Sequence, residues 1–314
     1  MSTAVTPART APATRPHRPA GRRTRSRMRS LAGLGYATPT ALVVTVLFLV
    51  PLGLLGWMSL NRWPLLGPAE LNAPDNYTAL ADNSLFADAV WFTVKYTVVM
   101  TVVLFSVAFG LAMLVQHRRP GVGFYRTAFF LPGVVGFAAT SLLFLGLLSN
   151  EIGPVDPLLV RLGVVDHPIS WTSDNPTVAL TSTVVLVLWR FAGFNMLILL
   201  TGLQAIPVDV YEAARLDGAS AWKTFRWITV PLMRSTISLV LILMITGSLL
   251  AFDQFWIFTR GGPDNSTTSV VMVIVREAFI RFDLGSAAAI SVLVLAALLV
   301  LNAIQLAILR RRQT

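Results

Sequence analysis

Three ionisable side chains, Lys95, Arg190 and Asp253, fall inside long apolar stretches of this sequence. A charge at the centre of a bilayer costs about 2.5–3.5 kcal/mol on insertion scales, so its carrier normally faces an aqueous cavity or a partner. Counted at 1.5 Å per residue from the ends of their segments, Arg190 lies roughly 20 Å deep, Lys95 about 10 Å and Asp253 on the order of 8 Å. Depth therefore matches Lys95 with Asp253 as an ion pair and leaves Arg190 without an acid at its level, facing either a solute path or a subunit interface. The competing reading is that all three are packing or snorkelling groups. Other chemistry is missing. No GxxxxGK[ST], HExxH or GxSxG run occurs, cysteine is absent, and His17, His117 and His167 are scattered. These residues offer no catalytic group, no phosphate cradle and no metal site of recognised spacing.

The elements that must position these residues are membrane helices. With 314 residues, 55% hydrophobic and only 13% charged, and a mean hydropathy of +0.69, the chain is too apolar for a soluble domain, whose charged share is about 25%. Six segments, approximately 36–60, 88–115, 123–148, 177–202, 232–258 and 284–309, are each long enough to cross roughly 30 Å of hydrocarbon, which takes about 20 helical residues. Pro51, Pro132 and Gly133 interrupt the pattern but are tolerable where neighbouring helices re-satisfy the backbone. Residues 1–29 carry eight arginines and four prolines with almost no large apolar side chain, which predicts a disordered basic tail over 1–35. Arg22-Arg23 hints at an export signal, but the following apolar run is long and lacks a small-x-small cleavage site. With both termini in the cytoplasm, 18 of the 25 Lys and Arg residues fall on the inner side, as the positive-inside rule asks. The net charge of +10 is thus spent on membrane topology, and no nucleic-acid partner is implied.

Between the fourth and fifth segments lies IPVDVYEAARLDGASAWKTFRWITVP, residues 206–231, too polar for lipid and too patterned for a slack loop. Pro207 suits a first turn, Asp209 and Glu212 favour the positive end of a helix dipole, and Ala213-Ala214 are strong helix formers. A short helix is predicted through Leu216, broken at Gly218. Ser220 can cap a second amphipathic helix carrying Trp222, Lys223, Phe225, Arg226 and Thr229 and closed by Pro231.

Glu212-Ala213-Ala214, Asp217-Gly218-Ala219, then Phe225, Ile228 and Pro231 resemble the EAA loop of permease subunits in binding-protein-dependent ABC importers. Trp189-Arg190, Gly193-Phe194-Asn195-Met196, Gly202-Leu203-Gln204, Phe252-Asp253 and Gly261-Gly262-Pro263 resemble its sugar-importing branch. The family often has a second proline where Ser235 stands here. The resemblance covers roughly residues 36–312 and implies an all-α, six-span permease of the type I importer architecture in the cytoplasmic membrane of a prokaryote. It also implies a second permease subunit, two ATPase subunits that bind ATP and Mg, no cofactor in this chain, and an extracytoplasmic binding protein that delivers the substrate. By the same resemblance Glu212, Ala213, Ala214, Arg215, Asp217, Gly218, Ala219, Lys223, Phe225, Arg226 and Pro231 form the ATPase-coupling region.

A sugar site combines aromatic faces with amide or carboxylate groups for hydroxyls. Asn195 with Trp189, and Asp253 and Gln254 with Phe252, Phe255 and Trp256, supply that mixture, and the expected substrate path is Arg190, Asn195, Phe252, Asp253, Gln254 and Trp256. Aromatics at membrane edges also serve as interfacial anchors, so the carbohydrate expectation leans on the resemblance. Di- and oligosaccharides and glycerol 3-phosphate are all compatible, Arg190 leaving room for an anion. The path reading predicts that Arg190→Leu abolishes uptake while assembly survives. The rivals are an ion-gradient-driven secondary transporter, which needs inverted repeats and midplane carboxylates, and a polytopic membrane enzyme, which needs a clustered His, Asp or Glu set at one membrane face.

Overall fold

The computed structural model describes residues 36–64, 66–116 and 120–310. The tail expected over 1–35 lies outside them, as do Arg118, Arg119, Arg311 and Arg312. The chain divides into two units at Leu54. In the first, every residue from 36 to 54 is helical and exposed, with a π-helical turn at Thr45–Leu49. This run belongs to α1 (Tyr36–Ser59), which ends inside the second unit.

Four more helices of the second unit, or parts of them, are long and apolar enough to cross a membrane: α3 (Ser84–Val115), α7 (Pro176–Gln204), the stretch Arg234–Thr259 that opens with α10 (Arg234–Leu249), and α12 (Leu284–Arg310) through Ile308. Their starts are written locally. Asn83 caps α3 by accepting from Phe86 N at 3.1 Å, and Asn175 caps α7 by accepting from Thr177 N at 2.8 Å, with Pro176 opening the first turn.

The segment expected as a single span over 123–148 is instead two helices, α4 (Val122–Phe130), continued by a 3₁₀ turn to Val134, and α5 (Phe137–Leu147), bent by 95°. Pro132 has no N–H to give to the preceding turn and its ring crowds the carbonyl four residues back. Val135 and Gly136 then adopt extended backbone before α5 begins.

Packing centres on α3 and α7. One face of α3 buries Phe92, Tyr96, Met100, Leu104, Ala108 and Ala112, a four-residue rhythm that lays one stripe along the helix. It meets Leu186, Met196, Leu199 and Leu203 of α7 in the same core. Ala108 and Ala112 are fully buried, and side chains that small let helix backbones approach closely, which is how helices associate where lipid removes the hydrophobic drive.

The connections are more structured than plain loops. Strands β1 (Asn61–Arg62) and β2 (Glu70–Leu71) pair antiparallel, Asn61 opposite Leu71. The short helices α2 (Asp75–Ala81) and α6 (Val155–Arg161) follow. Buried Asn76 of α2 donates to the carbonyls of Ser59 and Asn61 at 2.9 and 3.0 Å, tying the end of α1 to the hairpin. After α8 (Val208–Leu216) and α9 (Ala221–Thr224), α10 (Arg234–Leu249) leads through a π-helical stretch, Gln254–Thr259, and a tight turn to α11 (Val270–Phe279), which packs on α12.

On α11, Glu277 is buried and receives Arg281 Nη1 at 2.8 Å, the one ion pair among the described residues. Burial raises the Glu277 carboxyl above its ordinary range, the Arg281 charge opposes this, and Asp283 adds to it, while burial and Arg281 lower the neighbouring Arg276. The folded state therefore holds the Glu277 proton more tightly than the unfolded chain. Its contribution to stability is fully present below the unfolded pKa and is lost as pH rises through the raised folded value. Thermal unfolding is expected to shift upward on acidification through the carboxylate range, with Glu277→Gln flattening that part of the profile. A Glu277→Gln profile as steep as the parent's would remove Glu277 as its source.

Candidate functional site

A cleft of about 370 Å³ opens between α3, α5, α7 and the broken helix that follows α10. Its wall is built from Tyr96, Met100 and Leu104 of α3, Phe137 of α5, Val187, Phe191, Phe194 and Asn195 of α7, and Met244, Gly247, Ser248, Ala251, Phe252, Asp253 and Gln254. The last four lie where the helix lapses at Ala251–Phe252 before resuming as π-helix. Backbone of that kind is tolerated at membrane depth when it is buried in protein or lines a cavity. Here the carbonyl of Ala251 is taken by Ser269 Oγ at 2.7 Å, and Phe252 O accepts from Phe255 N and Trp256 N. The next residue of the connection, Val270, donates its N–H to Thr93 Oγ1 of α3 at 3.0 Å. The interruption is thus tied by Ser269, a donor eighteen residues on, in a connection that Thr93 anchors to α3.

The bend between α4 and α5 is resolved in the same way. Arg190 Nη1 donates to the carbonyls of Pro132, at 3.3 Å, and Gly133. The guanidinium also stands 4.9 Å from the ring centre of Phe191 and 5.7 Å from that of Phe137, within the range of cation–π attraction.

Elsewhere α8 ends in a Schellman motif. Gly218 has φ +71°, its N–H bonds Arg215 O at 3.0 Å, and Ala219 N bonds Ala214 O at 2.9 Å. Ser220 then accepts from Lys223 N at 3.3 Å to start α9. The helix runs on as a π-helical stretch over Phe225–Thr229, passes Pro231 and breaks only at Met233. Phe225 meets Phe109 of α3 edge-on at 5.7 Å, which fixes the elbow to its surroundings, and inside it the Tyr211 and Thr229 hydroxyls lie 3.3 Å apart. Glu212, Arg215, Asp217, Lys223 and Arg226 are exposed around it, together with Leu216 and Trp222, while Ala214 is buried.

Comparison with known proteins decides the family. The model of the binding-protein-dependent transport system inner membrane component family matches residues 13–314. The chain belongs to this permease family. Among its relatives, the lactose transport system permease protein LacF of Rhizobium radiobacter is 30% identical over 285 residues, covering 88% of this chain and 94% of that one. The sulfoquinovosyl glycerol transport system permease protein SmoG of Agrobacterium fabrum is 30% identical over 276 residues, 87% and 89% of the two chains. A chain of the crystal structure of a bacterial alginate ABC transporter in complex with an alginate pentasaccharide-bound periplasmic protein shares the fold, with TM-score 0.80 at 19% identity over 92% of this chain and 98% of that one.

In this multi-pass membrane permease, four of the six residues expected on the substrate path, Asn195, Phe252, Asp253 and Gln254, come together in the cleft. Trp256 stands behind it, stacked on Phe252 with ring centres 5.4 Å apart. Arg190 is not among the lining residues and is engaged by the carbonyls of the bend. The ion pair expected between Lys95 and Asp253 is not formed: Lys95 lies on the exposed face of α3, and Asp253 lines the cleft. Matching depth says nothing about azimuth, and Lys95 is one residue, about 100° of helix, from the inward-facing Tyr96. Sequence reasoning passed over Tyr96 altogether. The signal was there, in a phenol placed on the same four-residue stripe as Phe92, Met100 and Leu104.

Proposed function

We propose that this chain is a permease subunit of an ATP-driven importer of sugars or sugar-like solutes. In this reading it has six spans and cytoplasmic termini, and it works beside a second permease, two ATPase subunits that bind ATP and Mg, and an extracytoplasmic binding protein. The observation that carries the reading is the cleft, which gathers an amide, a carboxylate and aromatic faces at an interrupted helix. Relatives named for lactose and for sulfoquinovosyl glycerol support the substrate class. The elbow of α8 and α9 serves as the handle that the ATPase grips, with Glu212, Asp217, Lys223 and Arg226 at its polar rim. ATP binding would favour one of two packings of the bundle over the other, which is what couples hydrolysis to the alternate opening of the cleft.

The test is uptake by proteoliposomes holding the assembled transporter, with Mg-ATP supplied on the ATPase side. Labelled di- and oligosaccharides are expected to accumulate only with ATP. Gly218→Val puts a β-branched residue at φ +71°, where such residues are strained by roughly 1–2 kcal/mol. It is expected to reduce ATPase co-purification and ATP-driven uptake at least tenfold. Uptake without any ATPase subunit, or undiminished by Gly218→Val, would sink the coupling role.

A further inference from the structure

We infer that the cleft takes an uncharged, hydroxyl-rich solute and rejects an anionic one, a refinement that rests on the permease reading above. Its polar wall holds acceptors and hydroxyls without a cation. Asn195 is 4% exposed and gives its amide nitrogen to Phe191 O at 2.9 Å. A carbonyl can only accept, so this bond fixes the orientation of the amide and leaves Oδ1 as its free end. Gln254, 3% exposed, donates Nε2 to the Tyr96 hydroxyl at 3.2 Å, and its Oε1 is buried without a partner. Tyr96 is itself 1% exposed and meets Phe255 edge-on with ring centres 4.9 Å apart, so Gln254 is held by an immobile anchor. The Asp253 carboxylate beside it adds a charged acceptor.

Asn195 Oδ1 and the Asp253 carboxylate are acceptors in this wall, the Tyr96 and Ser248 hydroxyls beside them can give or take a bond, and sugar hydroxyls match that mixture without carrying charge. No Arg, Lys or His lines the cleft among the described residues, and Arg190, behind the Phe137 and Phe191 rings, gives Nη1 to the carbonyls of the bend. A carboxylate, sulfonate or phosphate on the solute would meet unpaired acceptors and a like charge, the arrangement by which sites reject near relatives of their ligand. The wall therefore favours the neutral members of the substrate class and excludes the glycerol 3-phosphate and acidic-sugar alternatives.

Saturation-transfer NMR on the detergent-solubilised transporter, with its binding protein omitted, reads the cleft without the binding protein's own selection. Maltotriose, cellotriose and trigalacturonate are the probes. The neutral probes are expected to give at least fivefold more transfer than trigalacturonate, and Asp253→Asn to cut the neutral signal severalfold while raising that of the uronate. Transfer to trigalacturonate equal to or above that of the neutral probes, a ratio unmoved by Asp253→Asn, or no transfer to any neutral probe overturns the inference. The permease reading falls separately, only if ATP-driven uptake fails in vesicles.

Discussion

Gly193→Ala is expected to be the most damaging single-methyl change in the chain. A Cβ built on Gly193 falls inside the van der Waals envelope of the Phe129 carbonyl and 2.8 Å from Phe130 N. Both obstacles are main chain, so no rotamer change can relieve them, and α7 would have to move away from α4. Overpacking typically costs about 1–3 kcal/mol when side chains can yield, and with backbone on both sides the upper end applies, roughly a hundredfold in the folded population. Gly110→Ala on α3 is the control, since a Cβ there meets nothing within 4 Å and alanine improves helix propensity by up to about 1 kcal/mol. Thermal unfolding in detergent separates the two: Gly193→Ala should lower the midpoint sharply and Gly110→Ala should hold or raise it. Parent-like unfolding of Gly193→Ala would mean that α4 and α7 do not approach as closely as described.

Arg190→Leu is expected to weaken the fold itself, which revises the expectation that only uptake would suffer. The guanidinium satisfies the carbonyls of Pro132 and Gly133 at the point where the helix abandons its own hydrogen bonds. Removing a charged donor and leaving acceptors buried costs about 1–3 kcal/mol per group, and the rings of Phe137 and Phe191 lose their cation as well. Leucine can supply none of this. Arg190→Lys keeps a donor and the charge and should recover part of the loss. The decisive comparison is transporter yield and unfolding midpoint beside uptake: a Leu variant that assembles and unfolds like the parent but cannot transport would return Arg190 to the solute path.

What the sequence made legible was local. The elbow came through almost residue for residue, because Gly218, Ser220 and the acid-to-base order from Asp209 to Arg215 act within one or two turns. The helix expected as the fourth span over 177–202 runs from Pro176 to Gln204 for the same reason. The helix expected as the second span begins at Ser84 and not at 88, since Asn83 caps a helix that starts before the hydropathy rises. The two interruptions were harder. Pro132 and Gly133 were visible as breakers, but a 95° bend needed Arg190 to absorb the stranded carbonyls from 57 residues away. The break at Ala251–Phe252 contains no breaker at all and depends on Ser269. Long-range donors of this kind leave no periodic trace.

The elbow also bears on how this protein must be made. Leu216 is 89% and Trp222 68% exposed on a surface otherwise rich in charge, so a copy released alone displays the apolar signature that chaperones and quality-control proteases read as unfinished. Synthesis in step with whatever covers that surface protects the chain, and overproducing it singly should yield a short-lived, aggregation-prone product.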